Sequence, residues 1–276
     1  TEVFVVDNLS TDGSMEYLKP KFPGVRFIEN TENVGFARAN NQAIRLARGQ
    51  YVLLLNPDTV VGEDSLRGLC FQMDEDEAIG AIGVKMINAH GEFLAESKRS
   101  FPSPWVSFCK LFGLAKLFPY SPKFARYSLP YLRANRQHTV EVLAGAFMLI
   151  RHEALDKAGL FDESFFMYGE DIDLSYRIVQ AGYKNLYYPE RLLHYKGESA
   201  KQDDKRYIEA FYGAMLIFYQ KYYPSSSGFL RGLIKMAVGL KAAMASLRGP
   251  SKKKRTGLPH KRLLVICNEA HYEQVK

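Results

Sequence analysis

Short apolar runs alternate with stretches of helical periodicity through the first ninety residues, and this alternation restricts the fold more than any other feature of the sequence. The apolar runs cover residues 3–6, 25–29, 51–55 and 81–87, and the helical stretches cover 15–19, 36–48 and 64–74. Strands that alternate with helices are typical of βαβ units, whose strands are parallel. We therefore predict an α/β domain with a central, mostly parallel sheet and helices on both faces.

The pattern changes after residue 100. Residues 100–138 are rich in proline, aromatic and basic residues without a clear period, so we predict a long irregular excursion. Further on, the pattern predicts helices at 153–158, 171–181 and 204–222 and a short strand at 185–188. Residues 229–247 carry apolar side chains at helical spacing with basic residues around them. This helix is predicted either to lie on an anionic membrane surface or to dock on the core.

Composition excludes several classes of protein. Of the 276 residues, 47% are hydrophobic and 13% are aromatic, which excludes a disordered chain. The net charge is +7, and part of the excess is the Lys252–Arg255 run, which we interpret as a solvated linker and not as a nucleic-acid site. The three cysteines are far apart, so they predict a reducing compartment. No apolar run reaches the roughly 18 residues of a spanning helix.

Both ends of the sequence indicate a fragment of a longer protein. The chain opens directly on an apolar run and closes on a strand-like run at residues 262–266. Separately, the cysteine pattern and the lack of a signal peptide or spanning run predict a cytoplasmic protein, which is peripheral on the inner face of the cell membrane if the 229–247 helix binds lipid.

Two polar clusters follow predicted strands. Asp7 and Asn8 come after the first apolar run, where a carboxylate either contacts a base or ribose or closes a turn. Asn56, Pro57 and Asp58 come after residues 51–55. Asp58 is placed either to bind Mg²⁺ or Mn²⁺ between two phosphates or to end the strand in a turn, and taken alone the turn is favoured.

A third cluster lies at the start of a predicted helix. Glu170 and Asp171 follow an aromatic run, and such a pair indicates a general base, whereas a single carboxylate there would be ordinary helix capping. Asp173 is predicted to support the helix start. His194 precedes a Gly-Ser turn, and its position leaves both a structural role and metal ligation open.

The motifs in their order resemble the family 2 glycosyltransferases, with the character of rhamnosyltransferase-like members. The strings that carry the resemblance are VVDN at 5–8, NVGFA at 33–37, LLNPD at 54–58, GAFMLIR at 145–151, GLFDE at 159–163, FMYGEDIDL at 166–174 and HYKGES at 194–199. The match runs from residue 1 to about residue 220.

The resemblance implies an inverting enzyme with a GT-A fold over residues 1–222, followed by an amphipathic helical segment at 223–248 and a basic linker at 249–276. It implies a UDP- or dTDP-sugar donor, a hydroxyl of a glycan or lipid-linked acceptor, and a place in polysaccharide and cell-envelope biosynthesis. The residues that it implies for the nucleotide side are Asp7, Asn8, Asn33, Gly35, Asn40 and Asn56. Asp58 would coordinate the divalent ion, His194 would be a second ligand or a diphosphate contact, and Asp171 would be the catalytic base with Glu170 beside it.

The sequence departs from the family pattern in two places. Asn56 stands where the metal motif often has an aspartate, which removes one carboxylate from the metal site. The family's first strand would precede Thr1, and we expect donor binding or folding to be weaker without it.

Two alternatives stay open on the residues alone. A nucleotidyltransferase would need a glycine-rich phosphate loop, and the sequence shows none. A non-catalytic carbohydrate-binding or scaffold protein would leave Glu170, Asp171 and Asp58 without a purpose. In the same way, residues 101–137 either shape the acceptor side or pack as a flap.

Overall fold

The computed structural model describes residues 1–195, 205–224 and 232. The strands are β1 (Phe4–Asp7), β2 (Arg26–Glu29), β3 (Tyr51–Leu55), β4 (Thr59–Val61), β5 (Ile79–Ile87), β6 (His138–Val140), β7 (Phe147–Arg151) and β8 (Lys184–His194). The helices are α1 (Ser14–Lys21), α2 (Phe36–Ile44), α3 (Ser65–Glu75), α4 (Pro104–Leu111), α5 (Leu114–Leu117), α6 (His152–Ala158), α7 (Glu170–Gln180) and α8 (Lys205–Tyr222). The predicted α/β class is confirmed.

The strands form two sheets. β1 and β2 pair in parallel, as the βαβ pattern predicts, and α1 connects them. The larger sheet has the order β3-β7-β5-β8-β4, and β6 also pairs with β8. The long β8 therefore has β5 on one side and both β6 and β4 on the other. In this way β8 carries residues from the C-terminal half of the chain into the middle of the sheet.

The larger sheet is mixed, so the prediction of a mostly parallel sheet was wrong in this detail. β7 is antiparallel to both of its neighbours, β3 and β5, and β4 and β6 are antiparallel to β8. β3, β5 and β8 do run in the same direction. β7 is antiparallel to both β3 and β5, which are therefore parallel to each other, and β5 is parallel to β8. β7 follows the long excursion and β6, so the strand–helix alternation of the first ninety residues does not extend to it.

Two apolar clusters lie on opposite faces of the larger sheet. Alternate residues of β7 divide between them: Met148 and Ile150 belong to one cluster, and Phe147 and Leu149 belong to the other. The first cluster includes side chains of α2, α6 and α7, and the second includes side chains of α3. Because successive side chains of a strand point to opposite faces, the predicted placement of helices on both faces is confirmed.

Two local predictions need correction. The excursion at 100–138 contains α4 and α5, and α4 begins at a Ser103–Pro104 pair in which the Ser103 side chain accepts a bond from the Val106 N–H. This capping signal is local, but the aromatic composition around it obscured the helical period. The strand predicted at 185–188 extends to His194, because the last residues of β8 pair with β4.

The C-terminal part of the prediction lies mostly outside the described residues. α8 packs against the body through Ala214 and Phe218, which contact the cluster around Phe165 and Ile172. The segment predicted at 223–248 is described only at 223, 224 and 232, and the linker predicted at 249–276 lies outside the described residues. Among the helices described, none is both long and apolar enough to cross a membrane.

Candidate active site

The end of β1 is tied to the turn before α2 through the side chain of Asn8. Asn8 Oδ1 accepts a hydrogen bond from the Val34 N–H at 3.2 Å, and Asn8 Nδ2 donates to the Gly35 carbonyl at 3.2 Å. Asn33 Oδ1 accepts from the Gly35 N–H at 3.0 Å, which closes the turn. The structure therefore brings together Asn8, Asn33 and Gly35, three of the residues predicted for the nucleotide side.

Asp7 and Asn40 are nearby in the chain but are used locally. The Asp7 carboxylate is buried and accepts from the Ser10 N–H at 3.1 and 3.3 Å, which is the turn-closing role considered for it. Asn40 Nδ2 donates to the carbonyl of Phe36 within its own helix at 2.9 Å. Their roles in nucleotide binding stay predictions.

Gly35 also joins this turn to the loop before α7. Its φ of +83° is in the region that favours glycine, and a Cβ at this position would meet the Phe166 carbonyl oxygen at 2.5 Å. The Phe36 N–H donates to the same carbonyl at 2.9 Å. The predicted nucleotide side is therefore in contact with the aromatic run that leads into Glu170 and Asp171.

Asp58 and His194 lie side by side although they are far apart in the chain. β4 and β8 are paired with Thr59 opposite His194, and this register places His194 Nε2 3.2 Å from Asp58 Oδ1. The Tyr195 N–H also donates to the Asp58 carbonyl at 2.8 Å. His194 Nδ1 is buried without a hydrogen-bond partner among the described residues.

The Asp58 carboxylate is a suitable oxygen ligand for Mg²⁺ or Mn²⁺, and the adjacent imidazole of His194 would supply a second ligand or a contact to a diphosphate. Such ions commonly bind through one or two protein groups and take their other ligands from phosphate and water. The described residues contain no group of three or more His, Cys, Asp or Glu side chains that could hold a metal by itself. The pair of Asp58 and His194 would fit an ion that arrives together with a diphosphate. Asn56, two residues before Asp58, donates its N–H to the Ala146 carbonyl at 3.0 Å.

Asp171 is held by a buried arginine. Arg99 Nη2 donates to Asp171 Oδ2 at 2.5 Å and to the Leu143 carbonyl at 3.0 Å, and the Gly145 N–H donates to the same Oδ2 at 3.2 Å. Both contacts fall on Oδ2, so Oδ1 has no partner within the part of the chain that the structure describes. The next residue, Ala146, accepts the hydrogen bond from the Asn56 N–H, so Gly145 and Ala146 connect Asp171 with the end of β3.

Glu170 differs strongly from its neighbour. Its residue is only 7% exposed, and Oε2 has no hydrogen-bond partner among the described residues. Burial, together with the negative charge of Asp171, raises the pKa of Glu170 to about 8. Glu170 is therefore mainly protonated at neutral pH.

Asp173 belongs to the scaffold. It is fully buried and binds Arg177 at 2.8 Å, Lys221 at 2.8 Å and the Tyr222 hydroxyl at 2.7 Å. These contacts fasten α7 to α8, which is a wider structural role than the predicted support of the helix start.

No pattern in the sequence indicated a role for Arg99. It lies in a basic, aromatic stretch in which each cation is expected at the surface. Only the burial of Arg99 indicates that it requires a carboxylate partner. Gly145 belongs to the GAFMLIR string, which does not by itself predict the contact of its N–H with Asp171.

The chain is similar to known glycosyltransferases in sequence and in fold. The profile described as "Glycosyl transferase family 2" matches residues 1–159. N-acetylglucosaminyl-diphospho-decaprenol L-rhamnosyltransferase of Mycobacterium tuberculosis is 29% identical over 228 residues, which cover 78% of this chain and 73% of that protein. Rhamnosyltransferase WbbL of Escherichia coli K12 is 29% identical over 183 residues, which cover 58% of this chain and 61% of that protein.

A solved structure shows a similar fold. The mannosyltransferase PcManGT from Pyrobaculum calidifontis, in complex with GDP-Man and Mn²⁺, superposes with a TM-score of 0.53 at 18% identity and covers 90% of this chain and 67% of that chain. The fold is thus that of the GT-A glycosyltransferases. The chain belongs to glycosyl transferase family 2, and the predicted family is confirmed.

Proposed function

We propose that this chain is an inverting, metal-dependent glycosyltransferase. It transfers a hexose, specifically rhamnose, from a nucleotide-diphosphate donor to a hydroxyl of a lipid-linked glycan. The names of the relatives support the sugar and the acceptor class, since one of them acts on a polyprenyl-diphosphate-linked N-acetylglucosamine. The observation that carries the chemistry is the fixed carboxylate of Asp171 with one oxygen left for substrate.

Asp171 acts as the general base in this proposal. Its Oδ1 accepts the proton of the acceptor hydroxyl while that oxygen attacks the anomeric carbon, and the nucleoside diphosphate leaves from the opposite face. Arg99 and the Gly145 N–H hold Oδ2, so the carboxylate keeps one orientation during the attack. Glu170 is too buried to meet an acceptor, and its neutral form avoids a second negative charge beside the base.

Asp58 and His194 would hold the divalent ion, and Asn8, Asn33 and Gly35 would border the nucleotide. A bound Mg²⁺ or Mn²⁺ supplies positive charge for the diphosphate leaving group. The mixed neighbourhood of one carboxylate and one imidazole fits this use. The donor base, uracil or thymine, is left to experiment.

The test is Asp171→Asn, assayed with dTDP-rhamnose or a UDP-sugar and a polyprenyl-diphosphate-linked N-acetylglucosamine acceptor. We expect the turnover to fall by about 100-fold or more, which is typical for loss of a general base, while donor affinity stays near that of the wild type. Asp156→Asn, at an exposed position on α6, is the matched control and should leave turnover unchanged. Turnover of Asp171→Asn within a few-fold of the wild type would remove Asp171 from the mechanism.

A further inference from the structure

The segment between Glu96 and Glu141 contains no acidic residue. Its cationic residues are Lys98, Arg99, Lys110, Lys116, Lys123, Arg126, Arg133 and Arg136. Lys98 and Arg99 are buried, whereas the others are exposed. The surface formed by this segment is therefore positively charged over its whole length, apart from the ion pair of Arg126 with Glu141.

The same segment exposes large apolar side chains. We call the following set the aromatic–basic surface: Trp105, Phe112, Leu117, Phe118 and Tyr120, with Lys116 and Lys123. Leu117 is 70% exposed and Tyr120 is 80% exposed, and a contiguous exposed patch of such side chains is typical of an interaction site.

Ring contacts make this surface continuous. Trp105 stacks on Phe108 with centroids 5.8 Å apart, and Phe108 lies 4.5 Å from Phe112. Phe124 connects Trp105, at 6.1 Å, with Phe118, at 5.1 Å. The exposed side chains of α4 and of the turn after α5 therefore form one patch.

The opposite side of α4 is anchored in the protein. Val106 and Cys109 are buried, and the Tyr219 hydroxyl donates to the Ser107 side chain at 2.8 Å. The buried side of α4 is therefore already packed. Its aromatic side faces outward, and no part of the described chain covers it.

Basic and aromatic side chains are also interleaved. The ammonium of Lys123 lies 5.9 Å from the Trp105 ring centroid and 5.7 Å from that of Phe124. Phenylalanine and leucine cannot bond to phosphate, so a soluble anion would leave most of the patch in water. An anionic lipid surface satisfies both parts, since acyl chains cover the apolar side chains and headgroups attract the lysines.

We propose that the aromatic–basic surface binds an anionic phospholipid membrane. The segment includes Arg99, which holds Asp171, and it folds back through the bond of the Ser100 N–H to the Tyr127 carbonyl at 3.0 Å. The aromatic–basic surface and the arginine that holds the candidate base therefore belong to the same segment of the chain. The binding itself requires no donor, acceptor or catalysis, so it stands or fails independently of the proposed transfer.

The test is co-sedimentation of the full chain with vesicles of phosphatidylcholine alone and of phosphatidylcholine with an equal part of phosphatidylglycerol. We expect binding to the anionic vesicles, weakening with added salt, and little binding to the neutral ones. The double variant Lys116→Ala, Tyr120→Ser should bind anionic vesicles about tenfold more weakly, since one surface lysine contributes about fivefold and the aromatic ring adds to it. Both side chains are exposed, so folding should be unaffected, which thermal unfolding checks.

The matched control is Arg67→Ala, Phe71→Ser, which removes an exposed cation and an exposed aromatic ring from α3. It should bind as the wild type does. The proposal is overturned if the two double variants lose equal affinity, if the wild type binds neither kind of vesicle, or if Lys116→Ala, Tyr120→Ser changes self-association in gel filtration and leaves vesicle binding intact. The last result would assign the surface to a second copy of the chain.

Discussion

Two adjacent carboxylates in this protein have opposite environments. Asp171 Oδ2 accepts hydrogen bonds from a guanidinium and a backbone N–H. Glu170 Oε2 is buried and has no hydrogen-bond partner among the described residues. A pair in which burial keeps one carboxyl group neutral is a common arrangement where a single base is needed. The sequence predicted the pair, but burial separates its members, and burial depends on how α7 packs.

The raised pKa of Glu170 makes stability depend on pH. The unfolded chain releases this proton near the ordinary value of 4.5, whereas the folded chain keeps it up to about pH 8. The folded state thus binds more protons in this interval, and stability falls as the pH rises through it. We predict that Glu170→Gln removes this loss. The measurement is urea unfolding at about pH 5 and about pH 8. Between these pH values the wild type should lose more unfolding free energy than the variant, by on the order of 1 kcal/mol or more.

The control for this measurement is Glu153→Gln, at an exposed position on α6. Its stability should follow the same pH profile as the wild type. Parallel profiles for wild type and Glu170→Gln would show that Glu170 ionises normally in the folded protein.

At the scale of the elements, the local pattern predicted most helices and strands but not their neighbours. Residues 51–55 were predicted as a strand, and β3 has these bounds, because apolar runs and turn residues are short-range signals. The position of β7 between β3 and β5, and the contact of β4 with the end of β8, result from long-range pairing. No periodicity in a single sequence encodes them, and the pairing of Asp58 with His194 could therefore be anticipated only through the family resemblance.

Gly35 tests whether the contact between the turn before α2 and the loop before α7 holds the site together. In Gly35→Ala, the positive φ is strained and the new Cβ meets the Phe166 carbonyl oxygen, so we predict a loss of at least about 1–2 kcal/mol in the free energy of unfolding. Nucleotide affinity should fall as well, because Asn8 donates to the Gly35 carbonyl.

Gly68→Ala is the matched control, since Gly68 lies within α3 and a Cβ there meets no atom within 4 Å. This control should be more stable than the wild type, by up to about 1 kcal/mol. Equal stability of the two variants in urea unfolding would mean that the loop before α7 moves freely away from Gly35.

At the scale of the molecule, the candidate site is assembled from the ends of β1, β3 and β8, the turn before α2 and the start of α7. The family profile ends at residue 159, before the acidic pair and before His194. These later residues reach the site because β8 runs through the middle of the sheet and α7 packs in the cluster with β3 and β7. The metal-side and base-side groups thus come from both halves of the chain, and neither half alone contains the whole set.

This assembly predicts that metal and nucleotide stabilise the whole domain together. If Asp58 and His194 share an ion with the diphosphate, Mn²⁺ should raise the melting temperature much more with UDP or dTDP present than alone, since ligands stabilise the state that binds them. Asp58→Ala and His194→Ala should each lose most of this joint shift, and Asp156→Ala should keep it. Differential scanning fluorimetry measures all four proteins, and the nucleotide with the larger shift identifies the donor base. An undiminished joint shift in Asp58→Ala would place the ion elsewhere, because its proposed carboxylate ligand would then be dispensable.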